Sequence, residues 1–222
     1  MTVSKVTQHY ETKTREWPGL FIVFEGIDGT GKTSQITRLE NFLNQQNFPV
    51  LSTYEPSNGP YGTKLRQHFY NRDKISKEEE LQLFLDDRKD HLQHTVLPAL
   101  ENGTIVLCDR YFLSTIAYQG ATGRFTEEEL LTKNNFAPAP DIALLFQAPL
   151  SVCLNRITAG RKELLNDFEQ HKYLEKTAAI FSCLNFPWLK VVNSNQNIEL
   201  VEQEIRQLIL PLLKTLQQKQ RR

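Results

Sequence analysis

Charge of a single sign is missing from this chain: 26 Lys and Arg are balanced by 26 Asp and Glu over 222 residues. No overall basic field draws it to nucleic acid or to a membrane surface, so an anionic ligand has to be met by a few placed cations. Cysteine is scarce as well. Cys108, Cys153 and Cys183 stand far apart without metal-ligand spacing, which argues against a disulfide scaffold and reads as reduced, mostly buried thiols of a cytoplasmic protein. No apolar run approaches the ~20 residues that span a bilayer. Residues 1–19 have none of the apolar centre of a signal peptide and are expected to form a loosely ordered tail. The five histidines cluster with neither Asp nor Ser in the manner of a triad or a zinc site, and are read as surface or structural residues.

What is present organises around Phe21–Ser34. An apolar, β-prone run from Leu20 to Phe24 stops at Gly26, and a loop spaced Gly26-x-x-x-x-Gly31-Lys32-Thr33 leads into a helical pattern from Gln35 to Phe42. Strand, glycine loop and helix is the setting of a phosphate-binding loop, here Gly26, Ile27, Asp28, Gly29, Thr30, Gly31, Lys32, Thr33 and Ser34. Glycines at 26, 29 and 31 let successive N–H groups converge on phosphate oxygens, and the helix N-terminus adds its partial positive charge. Lys32 then reaches the β- and γ-phosphates, and the Thr33 hydroxyl is placed to ligate Mg²⁺. The pattern implies that the chain binds a nucleoside triphosphate.

The rest of the chain alternates apolar strands with helical stretches. Strands are expected at Pro49–Tyr54, Thr104–Cys108, Ile142–Phe146 and Trp188–Val192, beside the one before the loop. A capping box at Ser76 and Glu79 opens a long helix that Pro98 is expected to kink near its end. Ala159 to Asn166 reads as a polar loop, within a short lid of about 157–167, and Ile198–Gln217 as a closing amphipathic helix. Near-continuous apolar strands separated by helices predict an α/β protein: a P-loop NTPase fold, a five-stranded parallel sheet with helices on both faces. Residues 20–222 form a single domain in this reading, and ligands belong at the carboxyl ends of the strands.

Three further groups have chemistry to offer. Asp109-Arg110 follows an apolar strand, where an acid holds Mg²⁺ and an arginine faces a phosphate; an ion pair that merely fixes a loop is the alternative. Phe84 and Arg88 are four apart on the long helix and share a face suited to a base, though on pattern alone a core Phe84 with a solvated Arg88 is the better fit. Arg156, Arg161 and Lys162 flank a glycine between two helices, either as mobile cations over a triphosphate or as a solvated basic loop.

Taken together, FEGIDGTGKTSQ, DDRKDH, ENGTIVLCDRYFLSTIAYQGA and FEQHKYLEKT resemble thymidylate kinase, from about Leu20 to the C-terminus. The resemblance implies transfer of phosphate from ATP to thymidine monophosphate with Mg²⁺, and a homodimer. It implies that Asp28 holds the sugar 3′-hydroxyl, that Phe84 stacks on thymine with Arg88 on its carbonyl edge, and that Arg110 holds the acceptor phosphate. Thr115 and Gln119 would border the base, Tyr118 would crowd the 2′ position, and Arg156 would lie along the adenine. Glu169 takes the acid position after the lid, near metal or sugar. With Gly29 and Thr30 in the loop, the chain is similar to the form of the family that uses a lid arginine, here Arg161. It departs from the common family pattern at Tyr54-Glu55-Pro56-Ser57-Asn58-Gly59-Pro60, at Phe146-Gln147-Ala148 and at Asp167. A kinase of another deoxynucleotide or of a deoxynucleoside, and a non-catalytic nucleotide-binding module, are the alternatives to weigh.

Overall fold

The computed structural model describes residues 17–69, 75–160 and 167–220, with the side chains of 160, 167–170 and 219–220 outside that description. Its centre is made by the three most apolar runs. β1 (Leu20–Glu25), β3 (Ile105–Asp109) and β4 (Ile142–Gln147) lie side by side, flanked by β2 (Val50–Tyr54) and β5 (Leu189–Asn193). The order is β2-β3-β1-β4-β5 and each pairing is parallel.

Because successive strand side chains point to opposite faces, β1 feeds two cores at once. Phe21 and Val23 join Val106 and Cys108 on one face; Leu20, Ile22 and Phe24 join Ile105 and Leu107 on the other. The second face is covered by α1 (Lys32–Gln45) and α9 (Ile198–Gln220), through Ile36, Leu39, Leu43, Ile205 and Ile209. The first is covered by α3 (Lys77–His91), α5 (Phe112–Ala121) and α8 (Asp167–Cys183). Burying each large apolar side chain contributes roughly 1.5–3 kcal/mol, so both layers are firmly seated on the sheet. α2 (Pro60–Phe69), α4 (Leu97–Glu101), α6 (Glu127–Lys133) and α7 (Leu150–Gly160) complete the connections.

Local chemistry sets several boundaries. The Ser76–Glu79 capping box opens α3, and a second one, Thr126–Glu129, opens α6. The distortion expected at Pro98 lies upstream of it. A π-helical segment, Leu92–Val96, separates α3 from α4, and Pro98 sits in the first turn of α4. Pro98 has no N–H to donate and its ring crowds the preceding turn, so the wider π turn takes up the misfit before the proline is reached.

Two expected boundaries are corrected. α7 runs through Ala159 to Gly160, so the start of the expected loop is helical, as alanine favours and as glycine allows in a last turn. The expected tail of residues 1–19 lies outside the described residues up to 16, but its end belongs to the domain. Gly19 donates its N–H to Leu100 O at 2.9 Å and Trp17 packs on the larger core. Among the described residues no helix is long and apolar enough to cross a membrane.

Candidate active site

At the carboxyl end of β1 the chain turns through Gly26 (φ 132°) and Gly29 (φ 79°) before α1 begins. A Cβ on Gly29 would lie 2.3 Å from Cys153 O, so this geometry admits no side chain there, an arginine included. Thr30 Oγ1 donates to Ile27 O at 2.8 Å and closes the loop on itself. Lys32 lies beneath it, donating from Nζ to Gly26 O and to Ile27 O at 3.0 Å each. Burial pushes the Lys32 ammonium down to about 8, Arg110 adds repulsion, and Asp109, Asp28 and Glu25 oppose the change.

Thr33, in the first turn of α1, donates from its hydroxyl to Asp109 Oδ2 at 2.8 Å. The other oxygen of that carboxylate, Oδ1, is buried with no hydrogen-bond partner among the described residues. A hydroxyl and one carboxylate, both hard oxygen donors beside a phosphate loop, fit Mg²⁺, which keeps waters and binds substrate phosphates besides one or two acids. Among the described residues no group of three or more His, Cys, Asp or Glu gathers as a metal cage.

Arg110, one residue beyond Asp109, adopts φ 72°, a left-handed conformation costing a non-glycine residue about 1–2 kcal/mol. Its guanidinium spans the cleft floor. Nη2 donates to Asp28 Oδ1 at 2.8 Å and to the Tyr118 hydroxyl at 3.2 Å, while Nη1 donates to Gly26 O at 3.2 Å and to Ser114 Oγ at 3.1 Å. It also lies 4.9 Å from the centre of the Tyr118 ring. Burial works against its charge, yet Tyr118, Asp28, Asp109 and Glu25 together hold the guanidinium above its ordinary value.

The second arginine is more deeply held. Arg88 is 1 % exposed and gives Nε and Nη2 to Glu55 Oε2, at 2.9 and 2.6 Å. Nη2 also reaches Thr115 Oγ1 at 3.0 Å, and Nη1 donates to Asn134 Oδ1. Four of its five N–H groups therefore have hydrogen-bond partners among the described residues, and the fifth is on Nη1. The solvated Arg88 that pattern alone permits is thus corrected, and so is a core Phe84: that ring is only half-buried, 6.4 Å from Phe69. Gln119 is buried one turn after Thr115 on α5.

The loop at 54–60 is held by contacts that no motif announced. Asp87 accepts from Ser57 N at 2.8 Å and from Ser57 Oγ at 2.6 Å; burial raises its carboxyl and the Ser57 bonds oppose that rise. Arg66 donates to Pro56 O and Ser57 O at 2.8 and 2.6 Å. His91, fully buried, bridges Glu55 and Thr53. On the opposite rim Arg156 donates to Gly29 O at 3.4 Å and to Ser194 O at 3.0 Å.

A cleft of about 950 Å³ is lined by the phosphate loop, Tyr54, Glu55, Asp109, Arg110, Arg156 and Ser194. Asp28, Lys32, Thr33, Asp109, Arg110 and Arg156 thus meet in one place, and Arg88 and Thr115 join it from behind Glu55. Phe84 stands off this lining. Arg161 and Lys162 lie outside the described residues, as does the side chain of Glu169, whose backbone is in α8. Glu55, Asn134, Ser114 and Glu25 are polar partners whose pairings sequence reasoning did not foresee. A polar residue ending an apolar strand was the available signal for Glu25 and Glu55.

Comparison with known proteins bears on the same stretch. The family model described as thymidylate kinase matches residues 24–205. A thymidylate kinase of Desulfotalea psychrophila is 49% identical over 197 residues, 89% of this chain and 97% of the relative. One of Xanthomonas euvesicatoria is 42% identical over 195 residues, 88% of this chain and 85% of the relative, and one of Xanthomonas campestris is 40% identical over the same length.

Proposed function

We infer the working of the cleft from one premise: the chain belongs to the thymidylate kinase family. It is an enzyme, a thymidylate kinase, which phosphorylates thymidine monophosphate to the diphosphate. ATP is the donor that the family implies, and Mg²⁺ the metal that Thr33 and Asp109 fit, where it would offset charge on the donor phosphates.

One observation carries the assignment of roles. Lys32 Nζ and Arg110 Nη1 donate to the same carbonyl, Gly26 O, at 3.0 and 3.2 Å. Two cations from different segments therefore stand within two hydrogen-bond lengths of each other. A switch that held one triphosphate would need only the first. In this reading the backbone of Gly26–Ser34 cradles the donor, Lys32 swings from the loop carbonyls to the β- and γ-phosphates, and Arg156 lies along the adenine. Arg110 exchanges Asp28 for the acceptor phosphate, freeing Asp28 for the sugar 3′-hydroxyl. The remaining Arg88 N–H reads a thymine carbonyl while Phe84 stacks on the ring, Thr115 and Gln119 border it, and Tyr118 blocks a 2′-hydroxyl. Arg161 closes over the donor phosphates, and Glu169 approaches from behind the lid.

No strong general base is needed, since an acceptor phosphate has its second pKa near 6 and is largely dianionic at neutral pH. What must be overcome is repulsion between two polyanions held in line; Lys32, Arg110 and Arg161 supply the opposing charge. A homodimer belongs to the same reading, and a monomer mass by light scattering would remove that part. The functional test is an ADP-release assay with ATP and each nucleoside monophosphate, thymidine included. Fastest turnover is expected with thymidine monophosphate. Efficient phosphorylation of thymidine itself, or binding without turnover, would overturn the reading. Arg161→Ala is expected to lower turnover about 100-fold or more, the scale of one lost charge-stabilising donor.

A further inference from the structure

Glu25 ends β1 fully buried, directly beneath the cleft, and the phosphate-transfer chemistry has no use for it. Three donors nonetheless converge on its carboxylate. Oε1 accepts from Tyr111 N at 3.0 Å and Ser114 N at 3.2 Å, and Oε2 accepts from Ser114 Oγ at 2.5 Å. Tyr111, the residue that precedes α5, makes no side-chain cap, so the first turn of α5 is capped from another strand.

The consequence for Arg110 is specific. Its own N–H donates to Phe24 O at 2.9 Å and the next N–H donates to Glu25. Consecutive amides at 110 and 111 are thus held by consecutive residues of β1, and Arg110 is pinned in its left-handed conformation. Ser114 adds direction. A hydroxyl has one proton, and Ser114 gives its proton to Glu25; it therefore turns lone pairs toward Arg110 Nη1, 3.1 Å away.

We propose that Glu25 is a positioning residue for the reaction, fixing the turn at Arg110 directly and aiming the Arg110 guanidinium through Ser114. The proposal rests on the reading that Arg110 holds the acceptor phosphate. Burial pushes the Glu25 carboxyl up to about 7, against the Ser114 hydrogen bond and the Arg110 charge. A side chain kept there despite that desolvation is held by its three donors, and an apolar residue of the same size accepts from none of them.

The test is steady-state kinetics on Glu25→Gln, Ser114→Ala, Arg110→Ala and the two double variants made with Arg110→Ala. In Glu25→Gln the one amide oxygen stays on the two backbone N–H groups, so the N–H₂ faces Ser114 and the hydroxyl loses its acceptor. KM for thymidine monophosphate should rise about tenfold, the scale of one buried hydrogen bond, with KM for ATP within about twofold. In the Arg110→Ala background neither Glu25→Gln nor Ser114→Ala should add more than about twofold, because their route to substrate is gone. Additive effects would overturn the proposal, and so would a parallel rise of both KM values with a lower melting temperature, the mark of a merely structural role. If Glu25→Gln fails to fold, Ser114→Ala decides alone. It keeps both backbone bonds and should raise KM for the monophosphate about threefold, an effect set by part of one hydrogen bond; no rise overturns the proposal. An unchanged KM in Arg110→Ala would instead bring down the underlying assignment of Arg110, and the proposal with it.

Discussion

On the side of the cleft proposed for the donor, Gly26–Ser34 supplies its groups from consecutive residues, largely as backbone N–H and one lysine resting on loop carbonyls. Across the cleft, on the side proposed for the acceptor, Glu55, Arg88, Arg110 and Thr115 come from four separate segments and are held by side-chain ion pairs and hydrogen bonds. The first cradle follows from local conformation, and its one cation is held by loop carbonyls rather than by a carboxylate. In the second, Arg88 is pre-arranged by partners that are themselves buried, Glu55 and Thr115 among them, so these residues belong to the stability of the protein as well as to the proposed chemistry.

The largest expected break in this contrast is Glu55→Ala. Arg88 and Glu55 are 1% and 4% exposed, and removing one member of such a buried pair strands the other charge, a loss of about 3–5 kcal/mol. Urea unfolding should show it as a lowered midpoint; an unchanged midpoint would mean that the acceptor side is no more structural than the donor side. Lys32→Ala comes next and should do the opposite. Turnover falls ~100-fold or more, about 2.7–4 kcal/mol in the barrier, while the urea midpoint stays within error.

A third difference is in pH. The Lys32 ammonium titrates near 8 without a phosphate beside it, and an anion raises that value by stabilising the charged form. Donor affinity is therefore full below about 7 and falls above 8, at most tenfold per pH unit, with proton uptake on binding. Arginine does not deprotonate in this range, so thymidine monophosphate binding should stay flat from pH 8 to 9. Calorimetry in buffers of different ionisation enthalpy separates the two, and equal pH slopes would remove Lys32 as the cause. Smallest is Glu78→Ala, which breaks an exposed pair with Arg124, side chains 49% and 65% exposed. Solvent screening leaves such pairs little weight, and neither melting temperature nor turnover should move measurably.

Sequence reading was uneven along the same division. The phosphate loop, its lysine and its threonine were legible because one short segment carries them with its flanking strand and helix. The three central strands were legible because runs such as Phe21–Phe24 are apolar without alternation, as strands buried on both faces require; β2 and β5 are less buried and were read from their β-prone residues between turn signals. Asp109 and Arg110 were legible as the end of one such run. Arg88 was not: four-residue spacing with Phe84 says which helix face it shares, and nothing about Glu55, Asn134 and Thr115 waiting on other segments. Ser57 looked like a departure from a family pattern, and its hydroxyl proves to be what Asp87 grips.

The chain by itself determined a parallel sheet, a triphosphate loop at the end of its central strand, and the residue types available at the other strand ends. Local backbone preference and the period of apolar residues are short-range, and both are written in neighbouring letters. Only the tertiary structure decided which carboxylate meets which arginine, since residues dozens apart in sequence become partners through the crossing of helices over the sheet. That pairing makes Glu55 and Asn134 the supports of Arg88, and Glu25 that of the turn at Arg110.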